Sequence, residues 1–374
     1  MRALLIAVLI VFCTAGRMWA ADQNGYLTVK GPCNLTFPAD HGSHPGYRTE
    51  WWYYTGNLAS ETGSRYGYQL TFFRSQISPP GADRHWPKPT SKWRTQQIYM
   101  VHAAISDLSA GRHLAVEDIV RGALDLAGVA RDQNQITTVH LKNWSAKISP
   151  AMHALKTSTD SFAFDLQLTP QKKPVLHGEA GYSRKGGSPD SASCYYSFTR
   201  LKTKGDLTLD GKTLAVEGLS WMDHEFSTAP LEPGIKGWDW FSLIFSDGTE
   251  VMIYLLRQKD GSYNAASSGT FVDPAGSIRH LSREQFKIDV LDTWKSPGSG
   301  GIYPSRWRLK ILPLSMDLSI TSNLADQEMQ TTASTGVTYW EGSVSLTGTA
   351  KGVKVDGVGY VELTGYAKDF DAPM

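Results

Sequence analysis

Apolar and polar positions alternate with a period of two along much of the chain, and sustained helical periodicity is scarce. Tyr66, Tyr68, Leu70 and Phe72 alternate with smaller or polar residues, the pattern of a half-buried strand. Asp210-Gly211, Asp247-Gly248, Asp260-Gly261 and Asp356-Gly357 sit between apolar runs and read as hairpin turns. A short helical piece fits Arg283 to Ile288. The pattern predicts a nearly all-β chain.

The same landmarks recur in order. Trp51-Trp52-Tyr53-Tyr54, leading to Leu70-Thr71-Phe72-Phe73-Arg74, matches Trp238-Asp239-Trp240-Phe241, leading to Ile253-Tyr254-Leu255-Leu256-Arg257. Asp107, Gly111 and Arg112-His113-Leu114 match Asp273, Gly276 and Arg279-His280-Leu281. Trp144 to Ile148 matches Trp307 to Ile311, and Gly218 to Asp223 matches Gly357 to Glu362. A tandem duplication follows, joined by the Pro- and Gly-rich stretch Ser227 to Gly237. The expected units are residues 43–228 and 229–374, after an extension at 21–42. Each reads as a sandwich or an up-and-down barrel.

Arg2 followed by the apolar run Ala3 to Thr14 and Met18-Trp19-Ala20-Ala21 reads as a signal peptide over residues 1–20, cut after Ala20 or Ala21. A secreted protein, in a bacterial periplasm, is expected. Cys33 and Cys194 then lie in an oxidising compartment; pairing and two separate buried thiols both stay open. The net charge of +1 with 20% charged residues gives no footprint for nucleic acid. Twelve Trp, sixteen Tyr and thirteen Phe suit both β-sheets and a pocket for a large apolar ligand.

Candidate chemistry concentrates at Asp223-His224-Glu225, inside the run Trp221 to Phe226. Burying such groups is costly unless they are paired or used. On a strand, Trp221, Asp223 and Glu225 share one face, and Met222, His224 and Phe226 the other. The triplet is therefore not a ready metal site, and no metal or other cofactor is expected. His224-Glu225-Phe226-Ser227-Thr228 lacks the second His of a zinc-protease helix, and no Gly-x-Ser-x-Gly elbow is present.

Glu50-Trp51-Trp52-Tyr53-Tyr54-Thr55-Gly56, Tyr195 to Arg200, Trp221 to Phe226, Tyr303 to Trp307 and Gly359 to Tyr366 together resemble the carotenoid 1,2-hydratase and AttH family. The resemblance covers Tyr47 to about Tyr366. It implies two tandem lipocalin-like (calycin) antiparallel β-barrels packed together. It further implies a secreted protein handling an extended apolar molecule, with hydration of a terpenoid or polyene double bond as the best-defined activity. His224 carries over from the hydratase pattern, but Glu225-Phe226 replaces Asn-Trp. Tyr254 fits the later Tyr, and no Asp follows it. The chain looks closer to the AttH branch, whose members are often labelled secreted hydrolases.

For alkene hydration, the roles expected are Asp223 as acid, His224 as activator of water and Glu225 as its orienter, with Tyr254 among the catalytic group. Trp52, Tyr54, His102, Trp221, Trp238 and Trp240 are the expected ligand-binding residues. The structural alternatives are an interior His224 bridging the barrels and ion pairs of Asp223 or Glu225 with Arg74, Arg200 or Arg257. Glu50 likewise suits Arg74 or Arg200. Because Glu362 repeats the acid of Asp223 while Leu363 stands where His224 does, His224 carries the functional weight. A carrier shielding a hydrophobic molecule or lipid, with a membrane transporter as partner, is the rival to hydration. A cofactor-free hydrolase is the third reading.

Overall fold

The computed structural model describes Asp22 and residues 24–228 and 231–370. The expected signal segment and the residues at the expected 228/229 unit boundary lie wholly or partly outside these. The first sheet comprises β1 (Thr49–Ser60), β2 (Arg65–Gln76), β3 (Gln97–Asp107), β4 (Arg112–Arg121), β5 (Ala127–Arg131), β6 (Thr137–Leu141) and β7 (Trp144–Ile148). It continues through β8 (His153–Ser158), β9 (Phe162–Pro170), β10 (Val175–Leu176), β11 (Tyr182–Arg184), β12 (Ala192–Leu209) and β13 (Lys212–Ser227). The second holds β14 (Ile235–Phe245), β15 (Glu250–Gln258), β16 (Ser268–Val272), β17 (Ile278–Leu281) and β18 (Phe286–Lys295). β19 (Ile302–Ile311), β20 (Met316–Ser322), β21 (Glu328–Thr331), β22 (Val337–Ala350) and β23 (Val353–Thr364) complete it.

Both sheets are antiparallel and follow one plan. The order β4-β3-β2-β1-β13-β12-β9-β8-β7 in the first corresponds to β17-β16-β15-β14-β23-β22-β20-β19-β18 in the second, and β6 and β5 extend only the first. Each is a lipocalin-like barrel around its own apolar filling, and the two pack together. Strand order sets Trp144, on β7, against β18, so the match drawn between Trp144 and Trp307 on β19 is one strand out of step. The other landmarks fall on equivalent strands: β1 with β14, β13 with β23, and the turn after β3 with the turn after β16. At Asp210-Gly211 both residues are left-handed, with φ of 50° and 73°, as the tight hairpin requires. The helical piece expected at Arg283 to Ile288 is a single 3-10 turn, Arg283–Gln285. Its remainder is strand, because Phe286 and Ile288 alternate inward.

Trp52, Tyr54, Leu70 and Phe72 fill the first barrel, and Phe241, Leu255, Trp307 and Val361 the second. A third apolar cluster, including Tyr53, Tyr195, Trp221, Trp240, Tyr254 and Tyr360, lies between them. The central strands are thus buried on both faces, which places β13 residues of one parity in the barrel and of the other at the junction. Asn57 clamps the barrels: its Nδ2 donates to Gly359 O at 3.0 Å, and its Oδ1 accepts from Ser343 Oγ. Gly67 has no side chain for a steric reason, since a Cβ there would stand 2.7 Å from the Tyr360 hydroxyl.

Cys33 and Cys194 form a disulfide, closing the alternative of two free thiols and tying the N-terminal extension to β12 across 161 residues of sequence. It packs with Val29, Tyr47, Ala192 and Phe226. Reduction, or Cys194→Ser, is expected to lower unfolding free energy by about 2–5 kcal/mol, mostly by releasing the unfolded chain. Urea unfolding with and without reductant measures this; coincident curves would refute it.

Candidate functional site

The two faces of β13 lead to two polar clusters, and Glu50 and Arg74 of the inner one also reach the lining of the inter-barrel cavity. On the inner face, His224 is fully buried within the first barrel. Its Nε2 donates to Glu50 Oε1 at 2.8 Å, so in the neutral ring Nδ1 accepts from the Tyr196 hydroxyl at 2.9 Å. Tyr196 in turn takes a hydrogen bond from His41 Nδ1 at 2.7 Å. Glu50 also receives Arg74 Nε at 2.8 Å and His44 Nδ1 at 2.7 Å, and His44 Nε2 reaches Asp40 at 3.0 Å. Burial opposes charge on His44, but its bonds to Asp40 and Glu50 prevail and lift its pKa to about 9. Burial likewise opposes charge on Glu50, yet hydrogen bonds from His224 and His44 hold its carboxyl far below the usual range. Burial depresses His224, against the pull of Glu50, and leaves it neutral at pH 7.

Ligating atoms of His44, Glu50 and His224 lie within 4.8 Å of one another. Arg74 and protonated His44 already balance Glu50, and its two oxygens are taken by protein donors. The cluster is therefore a charge-compensated strut for the barrel end. His224 does not bridge the barrels, as its structural alternative supposed; its partners Glu50 and Tyr196 are both in the first.

The outer face opens on a cavity of 390 Å³ between the barrels, within the range of small-molecule sites. Asp223, Glu225, Glu341 and Glu362 enter it from β13, β22 and β23, amid Trp51, Tyr53, Phe73, Trp238, Trp240 and Tyr254. Strand register explains the convergence. Tyr53 lies opposite Asp223 on β1 and β13, and Trp240 opposite Glu362 on β14 and β23, so duplicated positions face one another. Glu341 is the cross-strand neighbour of Glu362. A second space of 830 Å³, walled by prolines with His41, Lys172 and Lys173, contains no carboxyl among its lining residues.

Asp223 accepts from Tyr195 Oη at 2.8 Å, from Trp221 Nε1 at 2.6 Å and from Ser197 Oγ. Burial nevertheless prevails over these donors and pushes its pKa to about 7. Glu362 is raised to about 7 by burial, against bonds from Thr364 and Trp238. Burial and then repulsion from Glu362 raise Glu341 well above the carboxylate range. The Glu341 Oε1 accepts from Tyr53, while its buried Oε2 has no hydrogen-bond partner. Glu225 is different, since it binds Lys185 Nζ at 2.8 Å and Ser193 Oγ. Lys185 also lies 4.5 Å from the Tyr254 ring centre.

Of the expected site residues, Asp223, Glu225, Tyr254, His102, Trp238 and Trp240 line the cavity. Trp221 stands behind it as a donor to Asp223. Trp52 and Tyr54, expected as ligand-binding residues, do not line this cavity. Alternation turns them into the first barrel, where Trp52 Nε1 donates to His41 O and Tyr54 Oη meets His153. Their odd-numbered neighbours Trp51 and Tyr53 line the cavity instead. His224 is likewise turned away from Asp223 and Glu225. The Tyr254 hydroxyl is spent on Arg184 O and Ala266 O, so Tyr254 offers the cavity a ring face and not an acid. His102 lines the wall, its nitrogens engaged by Tyr339 and Ser334 at 2.8 Å.

The expected arginine pairs also resolve. Arg74 binds Glu50, as foreseen, whereas Arg200 takes Glu250 and Arg257 takes Asp239. Glu225 takes Lys185, and Asp223 has no ion pair among the described residues. Glu341 and Lys185 were not singled out from sequence. Tyr339-Trp340-Glu341 repeats the aromatic-then-acid pattern of Trp221-Met222-Asp223, which is the signal that could have found Glu341.

Comparison with known proteins accords with this fold. A crystal structure of an AttH candidate from Nitrosomonas europaea superposes with a TM-score of 0.79 at 32% identity, covering 91% of this chain and 99% of the other. The crystal structure of kievitone hydratase from Nectria haematococca gives a TM-score of 0.68 at 16% identity over 92% and 98% of the two chains. In sequence, the kievitone hydratase of Fusarium solani subsp. phaseoli is 24% identical over 208 residues, 54% of this chain. That match spans 57% of the hydratase's own length. The AttH-like family model matches residues 28–366, and the chain belongs to the AttH-like family.

Proposed function

We propose that the inter-barrel cavity binds an apolar, unsaturated molecule of terpenoid, polyene or lipid type and adds water across a carbon–carbon double bond. The observation that carries this reading is a set of carboxyls with raised pKa, Asp223, Glu341 and Glu362, converging in an aromatic cavity. Kinship with a kievitone hydratase supports it.

The environments separate acid from base. Glu341, which burial and the neighbouring Glu362 hold toward its protonated form, gives the proton on its unpartnered Oε2 to one alkene carbon, leaving a cation on the other. The faces of Trp238, Trp240 and Tyr53 shield that cation. Water attacks it and loses its proton to Asp223, which three donors keep ionisable near neutrality. Passage of that proton back to Glu341 restores the site. Overall one H and one OH are added, with no change in oxidation state of the protein. Glu225, neutralised by Lys185, serves the wall of the cavity.

The test begins with ligands extracted from the purified protein, identified by mass spectrometry, then incubated with the protein in ¹⁸O-water. Gain of one labelled water is expected. Recovery of the ligand unchanged would favour the carrier reading, and cleavage products the hydrolase. The rate should rise as pH passes about 7, where Asp223 loses its proton, and fall at higher pH as Glu341 ionises. In Asp223→Asn the acid limb should vanish from any residual activity. An exported, periplasmic location belongs to the same reading, and fractionation of cells producing the full chain tests it.

A further inference from the structure

Between β2 and β3 the chain makes a long excursion, residues 77–96, with a composition unlike the rest. It holds Arg84, Lys88, Lys92 and Arg94 against one carboxylate, Asp83, while the whole chain carries a net charge of only +1. All four cations are exposed. Trp93 is 58% exposed, and Trp86, half-buried, lies with its ring 5.3 Å from the Arg94 guanidinium. The loop springs directly from the cavity: Ile77 at its start and Ile98 just beyond its end both line the space, and Ile77 N donates to Gln96 O at 2.8 Å. Ile77 is 53% exposed and Ile119, another lining residue, 40% exposed, so the cavity mouth has an apolar rim.

We infer that this loop docks the cavity mouth on an anionic lipid bilayer. Clustered cations gain from negative headgroups, Trp prefers the boundary between headgroups and hydrocarbon, and Ile77 and Ile119 continue the apolar path into the cavity. An apolar ligand would then pass between bilayer and cavity without crossing water. The purpose rests on the apolar-ligand reading of the cavity, but docking is measured without any ligand, so the two can fail separately.

The test is flotation of the full chain with vesicles of equal parts phosphatidylglycerol and phosphatidylcholine, against vesicles of phosphatidylcholine alone. Binding to the anionic vesicles, weakened by raising the salt, is expected. Reversing the cations in R84E/K88E/K92E/R94E should lower partitioning at least ~tenfold, since each cation near a charged surface is worth a severalfold change. Trp93→Ala should lower it several-fold at unchanged charge. Unaltered thermal unfolding of both variants excludes misfolding, and these side chains are exposed. Equal partitioning to the two vesicle types, or wild-type binding by the charge-reversed variant, overturns docking. So does a chain that ignores vesicles but binds soluble polyglutamate through these cations, which would assign the loop to an acidic protein partner.

Discussion

Asp223→Asn should abolish most turnover while leaving the fold intact, with a loss of roughly 10²–10⁴-fold in kcat. Asparagine keeps the shape, and its Oδ1 can still accept from Trp221 and Ser197 while its Nδ2 faces the Tyr195 hydroxyl as a donor, but it cannot take a proton from water. Folding should tolerate the change because the folded-state pKa of Asp223 is raised to about 7 from 3.8. Such a group contributes stability fully below pH 3.8, and loses it as pH rises through about 7. Above pH 7 a neutral Asn removes a penalty instead of adding one. Glu341→Gln should lose activity on the same scale, through loss of the acid. His224→Ala makes the contrasting case. It strips a partner from Glu50 and Tyr196 and should mainly lower the thermal midpoint, with kcat at a temperature where it stays folded reduced far less. Kinetics and melting of the three variants on the ligand identified from the protein decide the matter. If His224→Ala lost kcat on that 10²–10⁴-fold scale and Asp223→Asn did not, chemistry would move to the inner face.

That contrast shows where the sequence was informative. Period-two alternation over Trp221 to Phe226 separates Asp223 and Glu225 from His224, and the structure has them on opposite faces of β13. The duplication placed Glu362 where Asp223 stands, and register sets both at the junction. Alternation could not say which face of a doubly buried strand lines the inter-barrel cavity. Trp51-Trp52-Tyr53-Tyr54 is aromatic on both sides, and Trp52 and Tyr54 have the parity that faces the first barrel and not the inter-barrel cavity. Composition gives no help there, because both faces are aromatic and largely buried. Glu341 and Lys185 stayed hidden for another reason: their importance comes from partners far off in sequence, Tyr53 for Glu341 and Glu225 for Lys185. The Trp144–Trp307 match failed because a local motif does not count hairpins, and the first barrel carries the additional strands β5 and β6.

Glu50→Gln should be strongly destabilising, costing about 3–5 kcal/mol. Glu50 and Arg74 are fully buried and joined at 2.8 Å, and Glu50 also holds His44. Gln preserves the volume but offers one neutral acceptor oxygen in place of two, and it leaves the Arg74 guanidinium and protonated His44 without their shared countercharge in a desolvated site. The pH dependence separates this cost from a packing defect. Because the folded-state pKa of Glu50 is depressed, its stabilisation is present above its unfolded value of about 4.5 and disappears as pH falls below it. The wild-type protein should therefore lose stability on acidification in that range, and Glu50→Gln should lose less. His44, raised to about 9, contributes in the opposite window: its stabilisation is complete below about 6.5 and is lost as pH rises through about 9. In Glu50→Gln that alkaline loss should shrink as well. Adding Arg74→Met, which removes the stranded cation, should recover part of the stability in a double-mutant cycle. Equilibrium unfolding across pH measures each step. A Glu50→Gln cost under about 1 kcal/mol, with no recovery on adding Arg74→Met, would mean that Glu50 is not the countercharge on which this end of the barrel depends.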